Sequence, residues 1–270
     1  MITALALKVF HALGAARFFM AAAVFIPLER LLPHRTRHAI LREGWTADLL
    51  SYFVNGAIFL VLLRVWQRAV DTTWLQPLPY TLKGTPIVVQ AIAVVALGSF
   101  VYYWGHRLLH VSPLLWRFHA VHHSSRRLDW LATYRGHVFE TCYFTLLTTV
   151  PMVLLEASTP AVLAFFVYRF FEGHIEHSNV RVPLGPLKWV IPSPWFHHWH
   201  HATDADAQNK NFSPYPLWDV VFGTAFMPEG RMPAGFGTDE PVPESYAGQL
   251  AFPLVAERRR SAIGRVAPES

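Results

Sequence analysis

Twelve of the fifteen histidines in this chain lie between His106 and His201, and their spacing is patterned. His106 and His110 form HRLLH; His119, His122 and His123 form HAVHH; His174 and His177 form HIEH; and HHWHH holds His197, His198, His200 and His201. A helix turns about 100° per residue, so positions four apart lie about 40° from one another and positions three apart about 60°. HxxxH therefore aims two imidazoles from one face, and the first, fourth and fifth residues of HxxHH share an arc of about 100°. Imidazole suits iron, zinc, copper and nickel alike. The two triplets and the two pairs offer ten ring nitrogens, from His106, His110, His119, His122, His123, His174, His177, His197, His200 and His201. A zinc ion takes four ligands, so this number suits two metals better than one.

A single HxxxH or HxxH pair is a common accident of core or surface histidines, whereas HxxHH occurring twice is not. Within HHWHH, His197 shares its arc with His200 and His201, and His198 falls nearly opposite His200. His197 is therefore expected to be a ligand, and His198 an outer or surface group. His137, in RGHVFE, has three readings: ligand, outer partner or buried structural histidine. Glu140 and Asp204, and with them Asp129, Glu172 and Glu176, are close enough in sequence to accept outer ring N–H bonds; ordinary surface charge is the competing reading. Asn211 and Asp219 read as structural supports of the last histidine box. His11, His34 and His38 lack the patterning.

Several chemistries are excluded by residue type. The HExxH zinc-protease motif is absent, and no Glu has a His three residues later, as the soluble di-iron bundles require. Cys142 is the single cysteine, so there is no intramolecular disulfide and no cysteine-held cluster.

The elements that must carry these boxes are apolar. Of 270 residues, 53% are hydrophobic and 15% charged, against about 25% charged in a typical soluble domain. A membrane span needs about 20 mostly apolar residues. Candidate spans run over 5–28, 45–63 and 87–103, the last continuing into the first histidine box; 141–155 and 161–171 are shorter and read as a hairpin joined by the turn at 156–160. The apolar N-terminus lacks a small-residue cleavage site, so no removed signal peptide is expected. The net charge of +5 comes from arginines flanking apolar runs, among them Arg30, Arg35, Arg37 and Arg42, then Arg107, Arg117, Arg126, Arg127 and Arg135. The positive-inside rule accounts for that placement better than nucleic acid does, and it puts both clusters, with the histidines, on the cytoplasmic side. The expected fold is all-α: an integral membrane, multi-pass helical bundle with a cytoplasmic histidine-rich helical cap. Residues 1–227 form one domain, and 228–270, rich in Pro and Gly, an irregular tail.

HRLLH, HAVHH, HSN after an apolar hairpin, HHWHH and the downstream NFSPYPLWDVVFGT together resemble the fatty acid hydroxylase/sterol desaturase superfamily, over roughly residues 90–227. The resemblance implies an integral membrane, non-haem di-iron enzyme that uses O2 on lipid C–H bonds, to hydroxylate or to desaturate. It carries ligand roles to His106, His110, His119, His122, His123, His177, His197, His200 and His201; His174 departs in detail, since relatives place the earlier histidine of that pair three or four residues before the later one. Two Fe ions are the implied cofactors. With no GxGxxG fingerprint, cluster cysteines or haem-attachment motif in the chain, the electrons are expected from a separate reductase, ferredoxin or cytochrome. The competing class is a membrane metal-binding or metal-transport protein without oxygenase activity. Transporters place their ligands at mid-membrane on broken helices, whereas these boxes sit at helix ends among arginines.

Overall fold

The computed structural model describes residues 14–35, 39–70 and 78–263. The regular elements among those residues are all helices; the β pairing among them is limited to two isolated bridges, Pro33 with Val180 and Ala202 with Phe236. Helix α1 spans Gly14–Leu31, and α2, Trp45–Leu50, continues through a π-helical turn at Ser51–Asn55 into α3, Gly56–Val70. The longest helix, α4, covers Ile87–Val111 and is followed by α5, Pro113–His123. Helices α6, Val138–Leu154, and α7, Thr159–His177, follow one another across a short turn, and each packs on α4. The short helices α8, Pro194–His200, and α9, Pro216–Val221, precede α10, Tyr246–Ile263.

Among the described residues, two stretches, Trp45–Leu62 and Ile87–Val111, are long and apolar enough to cross a membrane; Val138–Leu154 is apolar but shorter. Of the first expected span, residues 5–13 lie outside the described residues, as do His11 and His38.

Helix α4 is the axis of the bundle and packs on α5, α6 and α7. Two glycines allow the approach. A Cβ on Gly98 would fall 2.4 Å from the Phe165 ring of α7, and one on Gly105 would fall 2.2 Å from Leu147 of α6. Small residues at such crossings let helix backbones come close where no hydrophobic drive separates helix from lipid. Val94, Met152, Ala161, Val162 and Phe165 fill the core at the end far from the histidines.

The start of α5 is fixed by sequence: Ser112 caps it, accepting from Leu115 N, and Pro113 supplies a pre-set first turn. Ser193 and Pro194 repeat the device at α8, where Ser193 Oγ accepts from Phe196 N. Both histidine triplets therefore ride on helices whose first residue is pinned.

The segment beyond 227 departs from the irregular tail expected of it. Helix α10 packs against α5, with Phe252 buried beside Ala120 and Val121, and Tyr246 donates to Asn55 Oδ1 at 2.8 Å. Gly248 and Pro253 within it gave the stretch a loop-like composition, but tertiary burial of Gln249 and Phe252 outweighs that propensity.

Candidate metal centre

Nine of the histidines converge in two groups. His106, His110, His119, His123 and His200 form the first, and His122, His177, His197 and His201 the second; within each, one ring nitrogen per residue lies within 4.8 Å of all the others. Helix α4 supplies two rings to the first group and α7 one ring to the second. The triplets on α5 and α8 are divided between them in opposite senses. On α5 the outer pair, His119 and His123, faces the first group and His122 the second. On α8 and the residue following it, the outer pair, His197 and His201, faces the second group and His200 the first. Each triplet thus bridges both groups, so α5 and α8 cannot separate without opening both.

The separations fit metal edges. In the first group His106 Nε2 lies 2.9 Å from His119 Nε2, and His123 Nε2 lies 3.1 Å from His200 Nε2. In the second, Nε2 atoms of His122 and His177 are 3.3 Å apart, His177 and His197 3.0 Å, and His197 and His201 3.0 Å. Nitrogens bound about 2.1 Å from one ion at right angles sit about 3.0 Å from each other.

Tautomers sharpen the fit. His122 Nδ1 donates to the carbonyl of Arg135 at 2.8 Å, and His200 Nδ1 to that of Lys210 at 2.8 Å. A carbonyl only accepts, so each Nδ1 carries the hydrogen. Burial holds both rings neutral, pushing His122 down to about 4 and His200 to about 3 against the backbone bonds that favour charge. Each Nε2 is then a bare lone pair aimed into the cluster. His106 and His177 are arranged alike, donating through Nδ1 to Phe212 O at 2.6 Å and Gly173 O at 2.8 Å. Lone pairs facing one another at about 3 Å repel unless a cation lies between them. Burial likewise drives His119, His123, His197 and His201 well below the usual imidazole range, and neutral imidazole is the form that binds metal. The donor set therefore fits two cations, one held by five rings and one by four.

Among the described residues, Glu140 is the one carboxylate bonded to a ring of either group, accepting from His119 Nδ1 at 2.6 Å. Removing an outer partner of this kind commonly costs about 10–100-fold in metal affinity or activity. Glu140→Ala is expected to lower bound metal within that range, read by titrating a chelator against purified protein; an unchanged chelator midpoint would deny Glu140 the orienting role.

The remaining sequence expectations separate in the structure. His174 stands outside both groups, a correction to its place among the ten ligands. Its Nδ1 bonds Phe170 O at 2.6 Å and its Nε2 the Tyr134 hydroxyl at 2.7 Å, so both nitrogens are engaged elsewhere. His137 caps α6, its Nδ1 accepting from Phe139 N at 3.0 Å while Nε2 donates to Leu250 O. Asp204 serves the loop that follows α8: it binds Arg231 and Ala234 N rather than an imidazole. Asp129 caps the turn at Trp130–Tyr134 and pairs with Arg42, and Glu172 pairs with Arg169 and Tyr168. His198 is 1% exposed, sits outside both groups, and meets the rings of His34 and Phe236 edge-on. Asn211 and Asp219 do the packing expected of them. Asn211 ties Phe196 O to the Phe226 backbone, and Asp219 accepts from Phe212 N and Ser213 N. What residue types could not disclose is the set of backbone carbonyls, from Arg135, Gly173, Lys210 and Phe212, that fix four rings of the two groups.

A family model described as fatty acid hydroxylase matches residues 91–224, a stretch containing every residue of both groups. The chain belongs to the fatty acid hydroxylase family. Among curated relatives of this chain, an ornithine lipid hydroxylase from Rhizobium tropici is 33% identical over 67% of the chain and 55% of its own length. An alkylglycerol monooxygenase from Xenopus tropicalis is 32% identical over 48% of the chain and 29% of its own length. A very-long-chain aldehyde decarbonylase from Oryza sativa subsp. indica is 31% identical over 74% and 33%. The chain spans about half or less of the length of these relatives. No solved structure matches it.

Proposed function

We propose that this chain is a membrane-bound, non-haem di-iron oxygenase that hydroxylates a C–H bond of a membrane lipid, using O2 and electrons delivered by a separate redox protein. The observation that carries the reading is the pair of converging, neutral, lone-pair-bearing histidine groups at the end of the apolar helix α4. The relatives named as a lipid hydroxylase and a monooxygenase favour oxygen insertion over desaturation. Two iron ions bound there would supply the oxidising power that an unactivated C–H bond demands. The chain's own residues do the rest. The nine histidines hold the ions; Glu140 and the four carbonyls keep the rings in register. Phe212 and Trp116, which pack on the rings of the first group, exclude water from that side.

Orientation belongs to the same reading. The arginine-rich stretches around residues 30–42 and 107–135 support, by the positive-inside rule, a metal centre at the cytoplasmic face. The apolar faces of α4 and α3, with Val88, Ile92, Val61 and Val65 more than half exposed, then meet lipid.

Lipid extracts from cells with and without the gene, compared by mass spectrometry, test the proposal. A species 16 mass units heavier that needs O2 and the intact histidines is expected. A product 2 units lighter would replace hydroxylation by desaturation, and no change in any lipid would favour a metal-binding protein without oxygenase activity. Purified protein with O2 and NADPH alone is expected to be inactive; sustained turnover without a donor protein would remove the separate redox partner from the scheme.

A further inference from the structure

Helix α9 is too short to cross a membrane, yet it packs far along α4 from the metal ligands. Trp218 Nε1 donates to Ser99 Oγ at 2.9 Å, and the Trp218 ring lies edge-on to Phe100 at 5.1 Å. Ser99 precedes His106 by seven residues, which is about 10 Å along a helix. Tyr215 stacks on Tyr168 of α7 at 5.6 Å, and Tyr168 precedes His177 by nine residues, about 13 Å. Two independent rulers, on two helices, put the floor of this segment at a similar distance from the ligands.

Its two arms climb back. On one side the Phe212 carbonyl accepts from His106 Nδ1. On the other, Phe222 stacks on Tyr103 at 5.0 Å and Thr224 Oγ1 meets the Tyr103 hydroxyl at 3.1 Å. Asp219 closes the loop between the arms, accepting from Phe212 N, Ser213 N and Thr224 Oγ1. Two backbone N–H groups of the turn, those of Phe212 and Ser213, are thus satisfied from within, as a segment away from water requires.

A hydrocarbon layer about 30 Å thick takes about 20 residues of helix. Counted from Ile87, the start of α4, that layer ends near His106. Residues 215–221 then lie inside it. Their outer face matches: Leu217, Val220 and Val221 are 49%, 51% and 59% exposed and carry no charge.

We propose that residues 212–224 form a re-entrant element that dips into the bilayer beside α4 and α7, presenting Leu217, Val220 and Val221 to lipid acyl chains. Its occupant is bilayer hydrocarbon, because the face continues the apolar surface of a helix long enough to span. The same element ends on the carbonyl that orients His106, so contact with lipid is joined to the metal centre through one turn of chain.

The inference rests on α4 crossing the bilayer, and the experiment separates the two. In a Cys142→Ser background, single cysteines replace Leu217, Val220, Ile92 on α4 and Asp239 on the cap. Each is spin-labelled in proteoliposomes, and its collision rates with O2 and with a water-soluble nickel chelate are measured. Labels at 217 and 220 are expected to match the Ile92 label, with an O2-to-nickel ratio several-fold above that at Asp239. Nickel access at 217 and 220 equal to Asp239, with Ile92 still lipid-like, overturns the re-entrant element alone. Nickel access at Ile92 as well overturns the membrane span and the element together. Low rates for both reagents at 217 and 220 place another protein on the face and also overturn it. A membrane-impermeant maleimide gives a second readout on unlabelled protein: cysteines at 217 and 220 should react only after detergent is added, and reaction in intact vesicles of either orientation counts against the proposal.

Discussion

Replacing His197 by alanine is expected to strip metal from the second histidine group, and replacing His200 to strip it from the first, although the two residues are three apart on one short helix. His197 Nε2 has neighbours at 3.0 Å in both His177 and His201; His200 Nε2 faces His123 at 3.1 Å. Loss of either ring leaves the opposing lone pairs without a full coordination set. In anaerobically purified protein, iron should fall from about two equivalents toward one in each variant, as expected when ligands rather than outer partners are removed. The two variants should also leave different iron spectra, since a four-ring and a five-ring site remain. Activity should fall by more than the roughly 10–100-fold typical of losing an outer partner. His198→Ala is the control on the same helix and should keep its iron. Iron loss in His198→Ala with His197→Ala intact would reverse the assignment, and identical residual spectra from the His197 and His200 variants would refute the crossed arrangement.

That crossing marks the limit of what spacing discloses. A helical wheel shows that His119, His122 and His123 share an arc, and so do His197, His200 and His201. It does not show that each arc straddles two ions, because the partition depends on how α5 and α8 face each other in space. The wheel does separate His197 from His198, since that distinction is local. His174 misleads for the same reason: HIEH places two rings about 60° apart, enough for His177 to reach the cluster while His174 turns to Tyr134. The outer partners fare worst. A carbonyl such as Arg135 O has no signature in residue type, and Asp204, next to HHWHH in sequence, is drawn off by Arg231.

The bundle was more legible than the site's supports because its signal is long. A mostly apolar run from 87 to 103 announces α4, and Ser-Pro pairs at 112–113 and 193–194 mark the starts of α5 and α8. The helix of six residues within NFSPYPLWDVVFGT is below the length at which periodicity speaks. Its depth is given by tertiary contacts, Trp218 with Ser99 and Tyr215 with Tyr168. Helix α10 was hidden by a glycine and a proline in a segment whose order comes from packing on α5.

The largest effect on stability is expected at Asp48, which no histidine touches. Its carboxylate is fully buried at the head of α2 and accepts from Arg42 Nη2 at 2.7 Å and Arg135 Nε at 2.6 Å. Arg42 is bound on its other side by Asp129 at 2.7 Å, so two arginines and two aspartates form one buried, charge-balanced network. Gly44, at φ 81°, leaves the space that the Arg135 guanidinium occupies, since a Cβ there would fall 2.1 Å from Nη2. Removing one member of a buried ion pair strands the other's charge and costs about 3–5 kcal/mol. Asp48→Ala should therefore destabilise the protein by about that amount in denaturant titrations of the detergent-solubilised enzyme. The second consequence is directional. Arg135 also supplies the carbonyl that orients His122, a ligand of the second group, whereas Glu140 and Phe212, which orient rings of the first, lie outside the network. Limited chelation of Asp48→Ala should empty the four-histidine group ahead of the five-histidine group, and Asp48→Glu, which keeps the charge, should recover part of the difference. Equal loss from both groups would mean that the network supports the fold without steering His122.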